Sequence, residues 1–409
     1  MAAPKPVPGL RKIDRIVVIY LENRSFDHLY AFFPGADGLG NATAAAPQVD
    51  AHGSPYDRLP AFANRAIDAR RPALELPALP NAPFDLAPYV PIDRSLNAAF
   101  EEANSYYAAR QAINGGKMDG YVAISGSPVM GYYDGSSLPM WELAHEYVLA
   151  DRFFQGAFGG TGMNHFLLFS GGVPRWPNAP AEIVAELAPD GTLLKDGIVT
   201  PDGYIVNNLT PELLPHAPLQ TTPHIGNRLD DAGVSWAWYA GYTTTASQPF
   251  LLFADVTTGT PGAQAHVRTE SDFLTDLQNE TLPQVAFVKP LENEHPKEQT
   301  GLLEGDRHAA DLVRAVQQSA YWKNCVIVVT YDEGHSFWDH VAPPKIDRWG
   351  PGRRVPAIVV SPFAKRGFVD HTHYDTTSIL KLIAARFGLA PLGPRDAAAA
   401  DLTAALKLT

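Results

Sequence analysis

One stretch of the chain decides the fold class: Arg15-Ile16-Val17-Val18-Ile19-Tyr20-Leu21-Glu22-Asn23. Its β-branched and aliphatic run is typical of a strand that is buried on both faces of a parallel sheet. Ligands of open α/β sheets bind beyond the carboxyl ends of such strands. The two polar residues that close the stretch therefore fall where a binding site is expected.

Further runs of the same kind surround this stretch in the sequence. Strand-like segments occupy 16–21, 285–288, 326–331 and 357–360, and helical periodicity, with apolar residues three or four apart, occupies 309–321 and 377–387. Strands that alternate with helices indicate a mostly parallel sheet covered on both faces. The predicted fold class is α/β, a three-layer α/β/α sandwich with a mostly parallel central sheet.

The length of 409 residues is compatible with one large α/β domain. We predict a single catalytic domain over 1–409. Two stretches, near 40–91 and 182–223, are rich in Pro with Ala, Gly, Asn or Thr and have weak periodicity, so we interpret them as surface insertions. No internal repeat or heptad pattern is visible in the sequence.

The net charge of −12 argues against nucleic acid or an anionic membrane as the main partner, because both would be repelled. No apolar run is long enough to predict a membrane span, and the amino terminus does not read as a signal peptide. A chain whose leader had been removed would be periplasmic or secreted, and otherwise cytoplasmic, so the compartment stays open. Cys325 lies in an apolar run and is expected to be a buried, inert thiol. The sequence does not assign an oligomeric state.

Two pairs of polar residues follow strand-like runs and are candidates for a metal site. Glu22 and Asn23 follow the first run, and Asp332 and Glu333 follow the run at 326–331. Carboxylate and amide oxygens are hard ligands, and a cation relieves the repulsion of adjacent acids. Of the second pair, Asp332 is expected to face the site, since neighbouring strand residues point in opposite directions. The alternative for Glu22 and Asn23 is an ordinary helix N-cap.

A glycine-rich segment, Phe158-Gly159-Gly160-Thr161-Gly162-Met163-Asn164-His165, precedes an apolar helical run. The glycines allow a tight turn that opens a helix, which places Thr161 at or near its N-terminus. A metal-bound alkoxide there would be a nucleophile. The simpler reading is a Thr N-cap.

Histidines in loops complete the candidates. His295 follows the run at 285–288 and could act as a general acid, a metal ligand or a phosphate donor. His340, His371 and His373 are weaker candidates, and helix capping is the simpler explanation for the last two.

Together these pieces resemble the bacterial acid phosphatase and phospholipase C phosphoesterase family, within the alkaline phosphatase superfamily. The matching motifs are Glu22-Asn23-Arg24-Ser25-Phe26-Asp27-His28, Gly159-Gly160-Thr161 with Asn164-His165, Glu294-His295-Pro296, Thr330-Tyr331-Asp332-Glu333 and Trp338-Asp339-His340-Val341. The acid phosphatase branch looks closer through Ile113-Asn114-Gly115-Gly116-Lys117, Ser235-Trp236-Ala237-Trp238-Tyr239 and Asp347-Arg348-Trp349-Gly350-Pro351-Gly352. The resemblance covers about residues 12–387.

The resemblance implies one divalent metal ion of unknown identity, with Ca, Mg, Mn, Zn and Fe as candidates. Its ligands would be Glu22, Asn23, Thr161, Asp332 and Glu333, and Thr161 would also be the nucleophile. His295 matches an active-site histidine of the family, as leaving-group acid or phosphate donor.

The substrate side of the site departs from the family pattern. Related acid phosphatases often carry His where this chain has Asn97, and a His pair where it has Ala246-Ser247. After the acids the chain reads Gly334-His335-Ser336, so His335 would replace a lost imidazole. Residues assigned to substrate binding are Asn97, Asn164, His165 and His335.

The leading functional hypothesis is metal-dependent hydrolysis of a small phosphate monoester through a phosphothreonine on Thr161. The first alternative is a phospholipase C-type phosphodiesterase, or hydrolysis of a related sulfate or phosphonate ester. It is motivated by the missing imidazoles, because fewer charged donors would suit a monoanionic substrate. A further alternative is an inactive family member that binds a metal or a phosphate-bearing ligand.

Overall fold

The computed structural model describes residues 7–64, 73–93, 104–241, 248–290 and 302–408. Eight strands form its main sheet: β1 Arg15–Leu21, β2 Val148–Ala150, β3 Trp236–Ala240, β4 Val267–Thr269, β5 Val285–Lys289, β6 Cys325–Tyr331, β7 Ala357–Val360 and β8 Phe368–Asp370. Their order across the sheet is β4-β3-β5-β1-β6-β7-β2-β8. β7 is antiparallel to both neighbours, and the other pairs are parallel.

The register at the centre of the sheet positions the candidate site. β1 pairs with β5 on one side and with β6 on the other, and Leu21 stands opposite Tyr331. The amide of Asp332 donates to the carbonyl oxygen of Leu21 at 2.8 Å. Glu22 and Asp332 therefore leave the sheet side by side, at the edge where the sequence predicted a site.

Eleven α-helices occur among the described residues. They are α1 Phe26–Tyr30, α2 Tyr106–Ile113, α3 Tyr121–Ser125, α4 Pro139–Glu146, α5 Thr161–Ser170, α6 Ile225–Asp231, α7 Pro261–His266, α8 Glu270–Gln278, α9 Leu302–Gln318, α10 Thr376–Phe387 and α11 Pro394–Ala398. α5 packs against α10, whereas α9 packs against α4 and α8.

Adjacent residues of β3 show that these two helix groups cover opposite faces of the sheet. Trp238 lies edge-on to Phe169 of α5 at 5.8 Å, and Tyr239 lies edge-on to Phe273 of α8 at 5.4 Å. Because neighbouring strand residues point to opposite faces, α5 and α8 lie on different sides. This confirms the α/β/α layering and the mostly parallel sheet.

All four predicted strands are present, and each of the first three is one residue longer than predicted. The helix predicted over 309–321 is longer at its start and shorter at its end, Leu302–Gln318. Four strands were not predicted, β2, β3, β4 and β8, and three of them have only three residues.

The stretches interpreted as insertions contain short ribbons. Phe62–Asn64 pairs with Leu74–Leu76, Arg58–Leu59 with Leu79–Pro80, and Glu186–Leu187 with Leu193–Lys195. The assignment of one domain to the whole chain stays a prediction. Among the described residues, no helix combines the length and the apolar character that crossing a membrane requires.

Candidate active site

Glu22 is the centre of the site. It is buried, and its Oε2 accepts hydrogen bonds from Thr161 Oγ1 and from Asn23 Nδ2, each at 3.2 Å. Its Oε1 forms a buried ion pair with the ammonium of Lys289, the last residue of β5. α1 begins only at Phe26, after Ser25, so Glu22 and Asn23 do not cap that helix.

Thr161 is the first residue of α5, and Gly160 occupies the position before it. The Thr161 hydroxyl donates to Glu22, and Gly160 in the cap position leaves no role for Thr161 as an N-cap. Four residues later, one helical turn on, His165 lies on the same face. This geometry places a hydroxyl at a helix N-terminus beside a carboxylate, as a nucleophile requires.

Asn164 holds the turn that presents Thr161. Its Oδ1 accepts from the amide of Ala157 at 2.7 Å, and its Nδ2 donates to the carbonyl oxygens of Gly159 and Gly160 at 2.8 and 3.1 Å. Because this fully buried amide makes internal bonds at both ends, its position favours a structural role. Its assignment to substrate binding stays a prediction.

Three residues predicted for the site, Glu22, His165 and Asp332, lie together with the geometry of a metal site. We call them the Glu22 group, and among the described residues no other group of predicted site residues has this geometry. Each offers a ligand atom, and these atoms lie within 4.8 Å of one another. Asp332 Oδ2 and His165 Nε2 are buried and have no hydrogen-bond partner among those residues. An unpaired buried carboxylate oxygen is costly, and a cation removes that cost. The donor set therefore fits a divalent metal ion.

The electrostatics of this cluster agree with that fit. Burial, and then the charges of Glu22 and Glu333, raise the pKa of Asp332 well above its ordinary value. Burial, and then the charge of Lys289, lower the pKa of His165, which keeps the imidazole neutral and able to bind a metal. His165 was assigned to the substrate, but its place beside Asp332 suits a metal ligand.

Glu333 points to a different set of partners. Its Oε1 accepts from Asn104 Nδ2 at 3.0 Å, and its Oε2 accepts from the backbone amide of His335. Burial, and then the charge of Glu22, raise the pKa of Glu333 to about 7. The prediction that Asp332 rather than Glu333 faces the cluster agrees with the geometry. A direct bond from Glu333 to the metal stays a prediction.

His335 is buried beside two arginines. Burial, followed by the charges of Arg24 and Arg353, lowers the pKa of His335 to about 3, so its ring is neutral. Its Nδ1 has no hydrogen-bond partner among the described residues. A substrate contact of His335 stays a prediction. Asn97, His295 and the pair Ala246-Ser247 lie outside the described residues.

A second acidic group, which we call the Arg354 cluster, consists of Asp27, Asp339, His340 and Arg354. Arg354 Nη2 donates to Asp27 at 3.0 Å and its Nε donates to Asp339 at 3.0 Å. His340 Nδ1 lies 2.7 Å from Asp27 Oδ2, and the Asp27 amide donates to Asp339 Oδ2 at 3.1 Å. This cluster ties the segment after Glu22 to the segment after Glu333. Its acids already have a cation, so it does not suit a metal as the Glu22 group does.

Three residues in or beside the site were not predicted from the sequence: Lys289, Asn104 and, in the neighbouring cluster, Arg354. A lysine directly after the apolar run at 285–288 was the available signal, because lysine is rarely buried without a partner. Neither Asn104 nor Arg354 lies in a periodic element that could have pointed to the site.

Comparison with known proteins gives a family match along most of the chain. The model of a family described as the phosphoesterase family matches residues 13–390. A protein named phospholipase C B of Mycobacterium tuberculosis is 27% identical over 97% of this chain and 78% of its own length. A non-hemolytic phospholipase C of Burkholderia pseudomallei is 26% identical over 92% of this chain and 55% of its own length.

Solved structures also resemble the fold. A protein in the alkaline phosphatase superfamily from Vibrio parahaemolyticus has a TM-score of 0.39 and 12% identity, over 68% of this chain and 65% of that one. A phosphonate monoester hydrolase of Agrobacterium radiobacter has a TM-score of 0.39 and 11% identity, over 66% and 73%. Scores and identities this low transfer no substrate to this chain.

Proposed function

The chain belongs to the phosphoesterase family, and on that premise we propose that it hydrolyses phosphodiesters of the phospholipase C type, with Thr161 as nucleophile and one divalent cation. Phosphoric ester hydrolysis is the activity of the family as a whole. The nucleophile, the metal and the preference for diesters are the proposal.

The observation that carries the proposal is the contact between Thr161 Oγ1 and Glu22 Oε2, 3.2 Å apart, beside the unpaired Oδ2 of Asp332. The hydrogen bond to Glu22 orients the hydroxyl and offers an acceptor for its proton. Glu22, Asp332 and His165 would hold the cation, with Asn23 and the Thr161 oxygen as further ligands. A bound cation would lower the pKa of the hydroxyl and neutralise charge that develops on the phosphate.

In the first step the Thr161 oxygen would form a bond to phosphorus as the ester bond to the leaving alcohol breaks. The alcohol takes up a proton, for which His295 stays the predicted donor. Water would then cleave the phosphothreonine and restore the hydroxyl. The N-terminus of α5 faces this chemistry with its partial positive charge, which favours an anionic group there.

Two observations support the proposal of diesters over monoesters, which reverses the order given from the sequence. The relatives described above carry phospholipase C names, and no acid phosphatase is among those two. In addition, Lys289 is held by Glu22, so its charge is engaged and does not balance the second charge of a monoester dianion. A diester carries one negative charge and needs less compensation.

A rate comparison tests the proposal. Initial rates on bis(4-nitrophenyl) phosphate and on 4-nitrophenyl phosphate are measured with the same panel of Mn, Zn, Fe, Ca and Mg ions. We expect the diester to be cleaved faster, and we expect Zn, Mn or Fe to work best, since a mixed imidazole and carboxylate set suits those metals. A clear monoester preference would restore the acid phosphatase assignment. Thr161→Ala controls for contaminating hydrolases.

The remaining alternatives are settled by the same panel. Aryl sulfate and phosphonate esters are added as substrates, because the sequence analysis left these reactions open. Turnover of the sulfate alone would contradict the phosphodiester proposal. A chain that binds a metal ion but cleaves none of these esters would be a ligand-binding member of the family.

A further inference from the structure

A cavity of about 590 Å³ lies between α2, the loop at 191–193 and the loop at 343–350, and the metal site does not use it. Its apolar lining includes Tyr107, Phe158 and Leu193. Its cationic lining consists of Arg110, Lys345 and Arg348, with Asp347 as the one carboxylate among the lining residues.

Two motifs that the metal site leaves without a role meet at this cavity. They are Ile113-Asn114-Gly115-Gly116-Lys117 and Asp347-Arg348-Trp349-Gly350-Pro351-Gly352, which are more than 200 residues apart. Ile113 to Gly116 and Asp347, Arg348 and Gly350 all contribute to the lining. The first motif turns back on itself with φ values of 44°, 66° and 104° at Asn114, Gly115 and Gly116. Glycine makes this left-handed run accessible.

The cavity is fixed close to the nucleophile. Phe158 precedes Thr161 by three residues, and an extended chain of that length spans at most about 11 Å. The amide of Phe158 donates to the carbonyl oxygen of Trp349 at 2.8 Å, which joins the nucleophile loop to the loop at 343–350. The hydroxyl of Tyr106 donates to the carbonyl oxygen of Arg348 at 2.6 Å, which joins α2 to the same loop. Phe158, which lines the cavity, therefore lies within about 11 Å of Thr161 along the backbone.

The charges of the lining identify the kind of group that fits. Arg348 is paired with Asp202 at 2.7 Å, and Asp347 Oδ1 accepts from the amides of Trp349 and Gly350. Arg110 and Lys345 form no ion pair among the described residues, and both are exposed. A chain of net charge −12 thus presents two unneutralised cations beside an apolar floor. Such a surface attracts an anion that also has an apolar body.

We propose that this cavity binds the alcohol part of the phosphoester and selects alcohols that combine an aromatic or aliphatic body with a second anionic group. The body lies against Tyr107, Phe158 and Leu193, and the anion lies between Arg110 and Lys345. The inference rests on the proposed function, because it assigns the leaving group of that reaction. Binding there would add affinity for the substrate without taking part in bond breaking.

Paired substrates and paired variants test the inference. The substrates are ethyl 2-naphthyl phosphate and its 6-sulfonated counterpart. The test variant is Arg110→Gln with Lys345→Gln. The control variant is Arg11→Gln with Lys323→Gln, which removes the same charge from exposed residues near the amino ends of β1 and β6. All rates are measured at low ionic strength, because exposed charges are screened by salt.

We expect the test variant to lower the preference for the sulfonated ester in kcat/KM by about tenfold, the sum expected of two partly exposed charge pairs. The change should lie in KM for the sulfonated ester, and KM for the unsulfonated ester, which lacks the second anion, should change by a smaller factor. The control variant should keep the preference of the unchanged chain. An equal preference in the test variant and the unchanged chain, or an equal loss in the control, would overturn the inference.

An equilibrium measurement separates this inference from the proposed function. Fluorescent 2-naphthol-6-sulfonate is titrated into Thr161→Ala, with and without the two Gln substitutions. We expect the Kd to rise about tenfold when both cations are removed, whether or not the chain hydrolyses either ester. Failure to cleave both esters would count against the proposed function alone. Equal binding of the probe by both proteins would overturn the cavity assignment.

Discussion

The Glu22 group and the Arg354 cluster are both buried and acidic, and each combines an acid that follows β1 with an acid that follows β6. They differ in their cations. In the Arg354 cluster a guanidinium donates to both Asp27 and Asp339, and His340 adds a further donor. In the Glu22 group the ammonium of Lys289 is bound to Glu22, and Asp332 Oδ2 has no donor among the described residues.

The difference distinguishes a candidate metal site from a structural network of ion pairs. Burial raises the pKa of Asp339 to about 6 although Arg354 lowers it. Burial and two neighbouring acids raise the pKa of Asp332 well above its ordinary value, and no guanidinium opposes that shift as Arg354 does at Asp339. An acid cluster in which each carboxylate has a cationic donor is complete as folded, whereas one that leaves a buried carboxylate oxygen without a donor is completed by a bound ion. Both clusters hold the same two loops, so each can be changed with the other as control.

The largest effect is expected at Thr161, the proposed nucleophile. Thr161→Ala should lower kcat on an aryl phosphoester by about 10⁴-fold or more, as loss of a nucleophile does in other hydrolases. Its circular dichroism spectrum and metal content should be close to those of the unchanged chain. Thr161→Ser keeps a hydroxyl and should retain measurable turnover. Substantial activity in Thr161→Ala would remove Thr161 as the nucleophile.

The next largest effect concerns the Arg354 cluster. Asp339→Asn leaves the buried Arg354 with one charged partner fewer, so the free energy of unfolding should fall by about 4 kcal/mol. Urea denaturation measures this change. The control is Glu146→Gln, which breaks an exposed ion pair with Arg366 and should cost less than about 1 kcal/mol. Similar losses in both variants would contradict the role given to the buried pair.

A third buried carboxylate, Asp306, belongs to neither cluster and therefore shows the effect of burial without a neighbouring cation or acid. Burial raises the pKa of Asp306 to about 7, and its Oδ1 accepts from the amide of Met140 at 2.8 Å. A raised carboxyl pKa means that the folded state holds the proton more tightly than the unfolded state. The contribution of the Asp306 proton to the free energy of unfolding is therefore fully present below about pH 4 and is lost as the pH rises through about 7.

Asp306→Asn removes this titration and should be more stable than the unchanged chain by about 3 kcal/mol at pH 8. At pH 4 the two proteins should unfold at nearly the same urea concentration. A stability difference that does not depend on pH would contradict the titration of Asp306.

The smallest effect is expected at Asp332 in chelator-treated protein. Asp332→Asn removes one of several repelling acids, so the free energy of unfolding should rise by about 1 kcal/mol when no metal is bound. With metal present the order should reverse, because the variant has lost a ligand and gains less from binding. Unfolding in EDTA and in excess Mn or Zn measures both. A loss of stability in EDTA would show that Asp332 is already compensated.

The parts of the molecule that produce a local sequence pattern could be predicted from the sequence. The long strands at the centre of the sheet, and the residues directly after β1 and β6, follow from apolar runs that end in acids. The assignment of His165 to substrate binding stays a prediction, and its spacing from Thr161 already placed both residues on one helix face. Short strands such as β2 and β4 carry too few residues to produce a pattern.

The features that were not predicted depend on contacts between residues far apart in the sequence. Lys289 meets Glu22, and Arg354 meets Asp27, through pairings of distant segments that no local pattern records. The same holds for the cavity, where residues near 113 and near 348 meet. The proposed preference for diesters rests on the names of relatives together with the Lys289 contact, neither of which the sequence alone could supply.

The most direct test of the two-cluster account is the metal content of three purified proteins, measured by inductively coupled plasma mass spectrometry after gel filtration. The account predicts one divalent ion per chain in the unchanged protein, close to none in Asp332→Asn, and one in Asp339→Asn kept well below its melting temperature. A full complement of metal in Asp332→Asn, or loss of the ion in folded Asp339→Asn alone, would contradict it.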